Sequence, residues 1–144
     1  MGTTFRKVLT KAMPNTKAQR SRFIKKRLAP FVGMSFRCPA LGGKIYIERN
    51  SIKETAYNAR LSKESTLLAT NLRYLFTHAT IISHDANVQS NPNKYSKTFI
   101  NFGFKECFVL KSVHQDYGTA KIVVGKRSQS KLIHYSVTAL YIKK

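Results

Sequence analysis

The sequence predicts an α+β fold in which two N-terminal helices pack on one face of a four- to five-stranded antiparallel sheet. Between residues 62 and 82 the apolar side chains recur at spacings of three and four, the period of a helix with one buried face. The last third of the chain instead alternates apolar and polar residues and is rich in Val, Ile and Phe, as strands are. Helical segments followed by a run of strands are typical of α+β domains.

The composition is that of a chain that folds around a core. Its 144 residues are 42% hydrophobic and include nine Phe and seven Tyr. We interpret residues 1–40 as a basic N-terminal arm or linker and residues 41–144 as the α+β domain, with turn-forming residues at 39–43 between them. Within the arm, Asn15 is placed to cap a helix.

The helices of the domain have recognisable starts. The alternating segment Lys44–Arg49 predicts a half-buried strand. Ser51, with Glu54 three residues later, predicts a capping box that begins a helix of about ten residues. Ser62 is expected to cap a second, longer helix that ends near Ile82.

After the second helix the pattern is that of loops and strands. Gly and other turn residues separate segments rich in Phe, Ile and Val. The predicted segments are the loop Ser83–Lys97, the strands Thr98–Phe104, Glu106–Val113, Thr119–Val124 and Leu132–Ile142, and the basic hairpin loop Gly125–Lys131.

The charge of the chain points to a polyanionic partner. Lys and Arg number 26 against six Asp and Glu, which gives a net charge of +20. Because this charge is spread over the whole chain, nucleic acid is favoured over an anionic membrane surface. The residues expected to contact nucleic acid are Lys126, Arg127 and Lys131 of the hairpin loop and Arg20, Arg22, Lys25, Lys26 and Arg27 of the arm. For the arm, a solvated linker or a segment docked on the domain stays open as an alternative.

The sequence contains no pattern typical of a metal site, a membrane span or a secretion signal. No apolar run approaches the ~20 residues needed to cross a bilayer, and the N-terminus lacks the apolar stretch of a signal peptide. We therefore expect a cytoplasmic protein without a membrane partner, while delivery by another route stays open. Cys38 and Cys107 have no metal-binding spacing, so no metal or other cofactor is expected. Two buried thiols and one disulfide are both compatible with the sequence.

The last two predicted strands gather the residues expected to do chemistry. Alternation along a strand sends successive side chains to opposite faces of the sheet. This assigns Tyr135 to the core face. It gives the open face Lys121 from one strand and His134, Ser136 and Thr138 from the other. The assignment requires the two strands to be neighbours, and a register slip of one residue would invert it.

A His, a Lys and several hydroxyl groups on an open sheet suit metal-independent cleavage of RNA. The reaction needs a base near the 2′-hydroxyl, a cation for the charge on the phosphate and an acid for the leaving 5′-oxygen. His134 has the ordinary pKa of a base or an acid, and Lys121 or Lys53 would stabilise the phosphate oxygens. The residues that would hold the phosphate or lend a proton are Ser136, Thr138 and Tyr135. A non-catalytic surface that binds phosphate and sugar would use the same residues.

The order of motifs resembles a known family. SIKETA at 51–56, ATNLRYLFTHA at 69–79, GTAKIVVG at 118–125 and IHYSVTAL at 133–140 are together similar to the phage-associated barnase–EndoU–colicin–RelE-like nuclease domains. The resemblance covers Lys44–Leu140. It implies a helix-plus-antiparallel-sheet fold like that of barnase and RelE. It also implies a toxin-type endoribonuclease without a metal, directed at tRNA or other cellular RNA and found in phage, mobile-element and polymorphic-toxin proteins.

The resemblance also implies a set of site residues, namely Lys53, Glu54, Lys121, Tyr135 and Thr138. His134 matches no motif of the family and depends on the chemical argument alone. The chain lacks a pair of histidines of the EndoU kind, which argues against a two-histidine mechanism.

Three functions are therefore open. The first is a toxin-like or phage-encoded endoribonuclease, acting in the cytoplasm of the cell that makes it or of a target cell into which it is delivered. The alternative is a non-catalytic basic module that binds RNA or DNA. A third, compatible with the first, is a domain that binds an acidic immunity protein or antitoxin.

Overall fold

The computed structural model describes residues 14–127 and 131–142. In this part of the chain the fold is α+β, as predicted, but its sheet has six strands and is mixed. The prediction of four or five antiparallel strands is wrong. The strands are β1 (Ser35–Cys38), β2 (Gly43–Tyr46), β3 (Thr80–Asp85), β4 (Glu106–His114), β5 (Gly118–Lys126) and β6 (Leu132–Ile142).

The described residues form five α-helices, where the sequence predicted two N-terminal helices on the sheet. They are α1 (Lys17–Leu28), α2 (Arg49–Ala59), α3 (Lys63–Ala69), α4 (Leu72–Thr77) and α5 (Lys97–Asn101). None of these helices is long and apolar enough to span a bilayer.

One strand pairing makes the sheet mixed. The strand order is β1-β2-β6-β5-β4-β3, and β2 runs parallel to β6 through Ile45↔Leu132 and Tyr46↔Ile133. The other neighbouring strands are antiparallel. A parallel pair needs a long crossover, which here contains α2 to α5 and three further strands. Alternation within β2 does not reveal which distant strand it joins, so the sequence pattern could not predict this pairing.

Beyond Ile133, helix α2 replaces β2 as the neighbour of β6. Thr55 Oγ1 accepts a hydrogen bond from the backbone N–H of Val137 at 3.2 Å and lies 2.9 Å from His134 Nε2. The helix thereby satisfies a backbone group that a free strand edge would leave unpaired. This contact fixes α2 beside β6, together with the side chains that α2 carries along that edge.

Apolar clusters cover parts of both faces of the sheet. The larger cluster fills the space between the helices and one face, and Ile24, Leu68, Phe76 and Ile122 are fully buried in it. The smaller cluster packs the segment that contains Val88 and α5 against the other face. The second face is therefore partly covered rather than wholly open, and the part left uncovered lies beside α2.

Helix α1 packs on the same core as the rest of the fold. Its Ile24 is fully buried. The Arg20 guanidinium is also buried and donates hydrogen bonds to the carbonyls of Arg60 at 2.7 Å and Leu61 at 3.3 Å. The predicted boundary after residue 40 falls between β1 and β2, two strands that pair with each other.

The second predicted helix, Ser62–Ile82, is divided into α3, α4 and β3. Ser62 caps α3 as predicted. Where this helix ends, the side chains of Thr70 and Asn71 donate hydrogen bonds to the carbonyl of Leu67, at 3.0 and 2.7 Å. The apolar spacing continues through this break, so the pattern alone predicted one helix.

Two other local predictions are wrong. Helix α2 begins before Ser51, which lies inside the helix with no hydrogen-bond partner for its hydroxyl, so Ser51 and Glu54 form no capping box. The predicted strand Thr98–Phe104 contains helix α5 instead, capped by Ser96, whose hydroxyl accepts a hydrogen bond from Phe99 N at 3.1 Å. Without a capping role, the Glu54 carboxylate is available for another purpose.

The two cysteines are free thiols, both buried. Cys38 belongs to the larger apolar cluster and Cys107 to the smaller one, on the opposite side of the sheet. Of the two alternatives that the sequence left open, the structure has the buried thiols.

Candidate active site

A cleft opens between α2, the beginning of α5 and the sheet face formed by β5 and β6. Its volume is about 570 Å³, which is in the range of ligand-binding sites. Five of the seven residues predicted to be catalytic line it. The lining residues are Glu54, Tyr57 and Asn58 from α2, Ser96 and Thr98 at the start of α5, Lys121 and Val123 from β5, and Tyr135, Ser136 and Thr138 from β6.

A β-bulge in β6 decides which of its side chains enter the cleft. Val124 pairs with His134, but the preceding residue Val123 pairs with Ser136, so Tyr135 is an extra residue in β6. Both Tyr135 and Ser136 line the cleft. The next cleft-lining pair is Lys121↔Thr138, two residues that the sequence placed on the same face.

His134 faces away from the cleft, so the prediction that it projects from the open face is wrong. The side chain is 0% exposed. Its Nε2 contacts Thr55 Oγ1, and its ring lies edge-on to Phe76 at 5.7 Å. Complete burial lowers the pKa of the His134 imidazole from 6.5 to about 3. His134 is therefore a neutral core residue that links β6 to α2 and cannot reach a substrate in the cleft.

Tyr135 occupies the opposite position from the one predicted, because its side chain lines the cleft. Its hydroxyl donates a hydrogen bond to Glu54 Oε2 at 3.3 Å. Its ring packs edge-on against Phe99 at 4.9 Å and Phe102 at 4.8 Å. Burial first, and then the Glu54 carboxylate, raise the pKa of the Tyr135 phenol, although a hydrogen bond with Ser96 acts in the opposite direction. Tyr135 is thus a rigid, protonated donor to Glu54.

The Glu54 carboxylate faces the cleft from the α2 side. Glu54 is half-buried. Within the described residues, the ion pairs of the protein involve Asp85, Glu106 and Glu48 but not Glu54. The carboxylate therefore has a hydrogen-bond donor in Tyr135 and no cationic partner within 4 Å among those residues.

Two lysines lie side by side on the same face of the sheet. Lys121 of β5 is directly opposite Lys111 of β4. Side chains at directly paired positions of neighbouring strands are close together, and like charges there destabilise a sheet. Neither lysine takes part in an ion pair among the described residues. An arrangement that disfavours folding and concentrates positive charge next to a cleft is suited to binding an anion.

A smaller pocket of about 300 Å³ continues the cleft at the other side of Glu54 and contains Lys53. Glu54 and Thr98 line both spaces. Lys53, which the sequence predicted as a site residue, is exposed here rather than in the cleft itself. Asn101 and Arg127 complete the polar part of this adjoining pocket, so the two spaces form one groove.

The cations of the predicted hairpin loop lie beside the groove or outside it. Arg127 lines the adjoining pocket, but its guanidinium forms a bidentate pair with Glu48, at 2.8 and 2.9 Å, and donates to the carbonyl of Phe102. This pair raises the pKa of Arg127. Lys131 is exposed, with its ammonium 4.9 Å from the centre of the Tyr46 ring, and Lys126 is half-exposed at the end of β5.

The cations of α1 are not brought to the cleft. Arg20 is buried and hydrogen-bonded to backbone carbonyls, so the prediction that it contacts nucleic acid is wrong. Lys25 is exposed and lines neither the cleft nor the adjoining pocket. Arg22, Lys26 and Arg27 line a different groove, on the other side of α1 from the packed core.

Several residues of the site were absent from the sequence prediction. Tyr57 and Asn58 follow Glu54 by three and four positions, so the helical period would have placed them on the same face. Lys111 does not line the cleft but neighbours Lys121, and a short turn between β4 and β5 would have predicted that pairing. Ser96 and Thr98 lie on a segment that was predicted as the end of a loop and the start of a strand, and no pattern indicated them.

Comparisons of this chain with protein-family models, with curated proteins and with solved structures found no match. Within the part of the chain that the structure describes, no three His, Cys, Asp or Glu side chains come together in a group able to hold a metal ion. The chemistry of the cleft has to be inferred from its own residues.

Proposed function

We propose that this protein is an endoribonuclease that cleaves RNA by attack of a ribose 2′-hydroxyl on the adjacent phosphate. The observation that carries the proposal is the convergence in one cleft of the Glu54 carboxylate, the Lys121 ammonium and the three β6 hydroxyl groups of Tyr135, Ser136 and Thr138. Glu54 comes from α2, far in the sequence from the hairpin of β5 and β6 that supplies the other groups. A carboxylate and an ammonium that serve no ion pair among the described residues are the groups that general acid–base catalysis requires.

Glu54 takes the role of base that the sequence had given to His134. Its carboxylate accepts the proton of the 2′-hydroxyl while the 2′-oxygen forms its bond to phosphorus. Tyr135, by donating to Oε2, holds the carboxylate in one orientation and leaves Oε1 for the substrate. Tyr135 is in this scheme a positioning residue.

Lys121 stabilises the charge that develops on the phosphate and supplies the second proton. The bond from phosphorus to the 5′-oxygen breaks as that oxygen takes a proton from the ammonium group. Because α2 flanks one edge of β6 and β5 the other, Glu54 and Lys121 approach from opposite sides of the β6 side chains. Attacking and leaving oxygens on opposite sides of phosphorus need that arrangement. The products are a 2′,3′-cyclic phosphate and a 5′-hydroxyl.

The remaining polar groups hold the strand. Thr138, paired with Lys121 across the sheet, would donate a hydrogen bond to a non-bridging phosphate oxygen. Ser136, paired with Val123 and 3% exposed, would donate a second one from the floor of the cleft. Lys53 in the adjoining pocket and Lys111 beside Lys121 lie at the two ends of this site and would contact the neighbouring phosphates. The groove therefore suits a single strand of several nucleotides.

The resemblance to the barnase–EndoU–colicin–RelE-like nucleases supports the same chemistry and extends the proposal. It makes tRNA the first substrate to test, and a phage-encoded or delivered toxin acting in the cytoplasm the biological setting. It also makes an acidic immunity protein or antitoxin a partner. Since each proton transfer is assigned to a side chain, the proposed reaction requires no metal.

The test is incubation of the protein with total tRNA in the presence of EDTA. We expect discrete fragments that end in 2′,3′-cyclic phosphate, identified by their resistance to phosphatase before mild acid treatment. Glu54→Gln and Lys121→Ala should each lower the cleavage rate by at least about 100-fold, since general acid–base groups typically contribute that much or more.

The matched controls are Glu64→Gln and Lys105→Ala, which make the same chemical changes away from the groove. They should retain cleavage within about two-fold. Retention of full cleavage by both Glu54→Gln and Lys121→Ala would show that the site is wrong. Intact tRNA with a strong mobility shift would instead support the alternative, a non-catalytic basic module that binds RNA or DNA, which the net charge of +20 also favours.

A further inference from the structure

A second groove lies along α1 and α4, and it is separate from the cleft. Two cavities of about 940 and 560 Å³ join at Phe31 and Thr70, which line both of them. We call this continuous space the α1–α4 groove. None of its lining residues lines the cleft or the adjoining pocket.

The floor of the α1–α4 groove is aromatic. Phe23 and Phe31 are half-buried in one cavity, and Phe36 and Tyr74 line the other. Phe31 and Phe36 meet edge-on at 5.1 Å, so the two cavities share a continuous apolar surface. A polar ligand alone would gain nothing from this surface, whereas apolar side chains would.

The walls of the groove carry four exposed cations and no acidic residue. Arg22, Lys26 and Arg27 project from α1, and Arg73 projects from α4. The groove thus combines an apolar floor with a positive margin. Its complement is a ligand with apolar side chains flanked by negative charges.

The arrangement of the arginines favours an acidic protein segment over RNA. The Arg27 guanidinium lies 5.7 Å from the centre of the Phe23 ring, and the Arg73 guanidinium lies 5.5 Å from the centre of the Phe36 ring. Single-stranded RNA stacks its bases on open aromatic faces. Phe36 is only 5% exposed and Phe23 is half-buried, so neither ring offers a whole face to a base. A guanidinium held over a ring still presents its donors to a carboxylate.

The N-terminal residues of the chain have the wrong charge to be this ligand. Pro14 lines the groove, and residues 1–13 precede it in the sequence. That segment contains Arg6, Lys7 and Lys11 and no Asp or Glu. Its like charge disfavours it as the occupant of a positive groove.

We propose that the α1–α4 groove docks an acidic amphipathic segment of a partner protein, with its apolar side chains on the aromatic floor and its carboxylates on the four cations. Because the groove shares no residue with the cleft, this partner binds without closing the cleft. The proposal is independent of the nuclease activity.

The test uses the full chain and a labelled 18-residue peptide with Leu and Phe at helical spacings of three and four and Glu at most other positions. Fluorescence anisotropy at about 0.15 M salt measures its affinity, beside a scrambled peptide of the same composition. We expect the amphipathic peptide to bind at least ten-fold more tightly than the scrambled one. Equal affinities would overturn the proposal, since they indicate attraction by net charge alone.

Matched variants locate the binding site. Arg27→Glu/Arg73→Glu should weaken peptide binding at least ten-fold. The control Lys25→Glu/Lys105→Glu makes the same change in charge, with Lys25 on α1 and Lys105 on a distant turn, and it should weaken binding less than three-fold. Equal losses would overturn the proposal. If circular dichroism shows the first double variant to be unfolded, the peptide affinities of the single variants Arg73→Glu and Lys105→Glu are compared instead, with the same expected outcome.

Two measurements with a labelled oligonucleotide test whether RNA, rather than an acidic peptide, binds in the α1–α4 groove. A labelled 12-nucleotide oligouridylate should bind the two double variants with similar affinity. A ten-fold selective loss of oligouridylate binding in Arg27→Glu/Arg73→Glu would make the groove a nucleic-acid site and overturn the proposal. Oligouridylate bound to the wild-type protein should not be released by saturating amphipathic peptide, and release would show that the two ligands share a site.

Discussion

Tyr135 controls the carboxylate on which the proposed reaction depends, and this makes a one-atom change informative. Tyr135→Phe removes the hydroxyl that donates to Glu54 Oε2 but keeps the ring that packs on Phe99 and Phe102. We expect kcat for tRNA cleavage to fall about ten-fold with KM unchanged, because the base loses its orientation but the strand keeps its contacts. The measurement is a steady-state comparison of the two proteins.

A positioning role predicts a loss confined to kcat, whereas a purely structural role predicts a loss of stability in urea unfolding while the folded variant keeps the wild-type kcat. An unchanged kcat would contradict the assignment.

His134 makes a prediction about stability rather than catalysis. Its pKa is near 3 in the folded protein and near 6.5 when unfolded, so the unfolded chain binds the extra proton between these values. Stability contributed by the neutral ring is therefore complete above about pH 6.5 and is lost as the pH falls toward 3. From pH 7 to pH 4 the wild type should lose on the order of 2–3 kcal/mol more than His134→Gln. Urea unfolding at both pH values measures this.

The matched control for His134 is His78→Gln, an exposed histidine at the end of α4. It should lose as much stability as the wild type between pH 7 and pH 4. Burial also lowers the pKa of the partly buried His114, and this contribution is the same in the wild type and in His134→Gln, so it cancels between these two proteins. Equal pH dependence in His134→Gln and the wild type would contradict the prediction.

The β-bulge at Tyr135 explains why the sequence predicted the facing of some cleft residues correctly and of others incorrectly. Alternation correctly placed Lys121 and Thr138 on one face, because their pairing continues regularly along β5 and β6. It exchanged His134 and Tyr135, because one extra residue in a strand shifts every side chain before it to the other face. No Gly or Pro in the sequence signals this bulge, and Thr55 on a distant helix contacts β6 on both sides of it, at His134 and at Val137.

At the scale of elements, the wall of the cleft depends on the close approach of β5 to the aromatic cluster. A Cβ at Gly125 would overlap the ring of Phe104, which is 2% exposed and is packed against Phe102 and Tyr135. The ring has no free space into which to move, so Gly125→Ala should lower the free energy of unfolding by about 1–3 kcal/mol. Chemical denaturation of the variant measures this loss.

Gly43→Ala is the matched control for Gly125→Ala, because it also replaces a strand glycine. A Cβ at Gly43 would meet Leu132 Cδ1 at 3.8 Å, an ordinary contact. The substitution should be neutral or stabilise the protein by up to about 1 kcal/mol. Equal destabilisation by both substitutions would point to the loss of glycine itself rather than to the overlap with Phe104.

The ends of helices and strands were predictable only where a residue next to the end, such as a capping side chain, determines them. Ser62 caps α3 as its sequence indicates. At the break after α3, Thr70 and Asn71 turn their side chains to the Leu67 carbonyl, and the apolar pattern of the sequence does not signal this. The apolar residues 99–104 have a strand composition, yet they form a helix and a turn because their rings pack on Tyr135 rather than on a neighbouring strand.

For the whole molecule, the composition predicted a core and a polyanionic partner but not how the few acidic residues are used. Of the six acidic residues, Glu48, Asp85 and Glu106 take part in ion pairs among the described residues. Glu54, Glu64 and Asp116 do not, although 26 basic residues are present, and of these three only Glu54 lines the cleft. A carboxylate left without a cation in a chain of this charge is therefore a property of the fold, which no count of residues could reveal.

The net charge of +20 also means that RNA binding should depend steeply on salt, and the slope can report the path of the strand. Each phosphate neutralised on a single strand contributes about 0.7 to the slope of log K against log salt. Lys53 is exposed in the adjoining pocket and has no ion pair among the described residues, so Lys53→Met should reduce the slope by about 0.7.

Arg127 is already neutralised by Glu48, so Glu48→Gln/Arg127→Met, which leaves the net charge unchanged, should keep the slope. An unchanged slope in Lys53→Met would show that RNA does not cross the adjoining pocket, and a reduced slope in the double variant would show that Arg127 leaves Glu48 to bind phosphate.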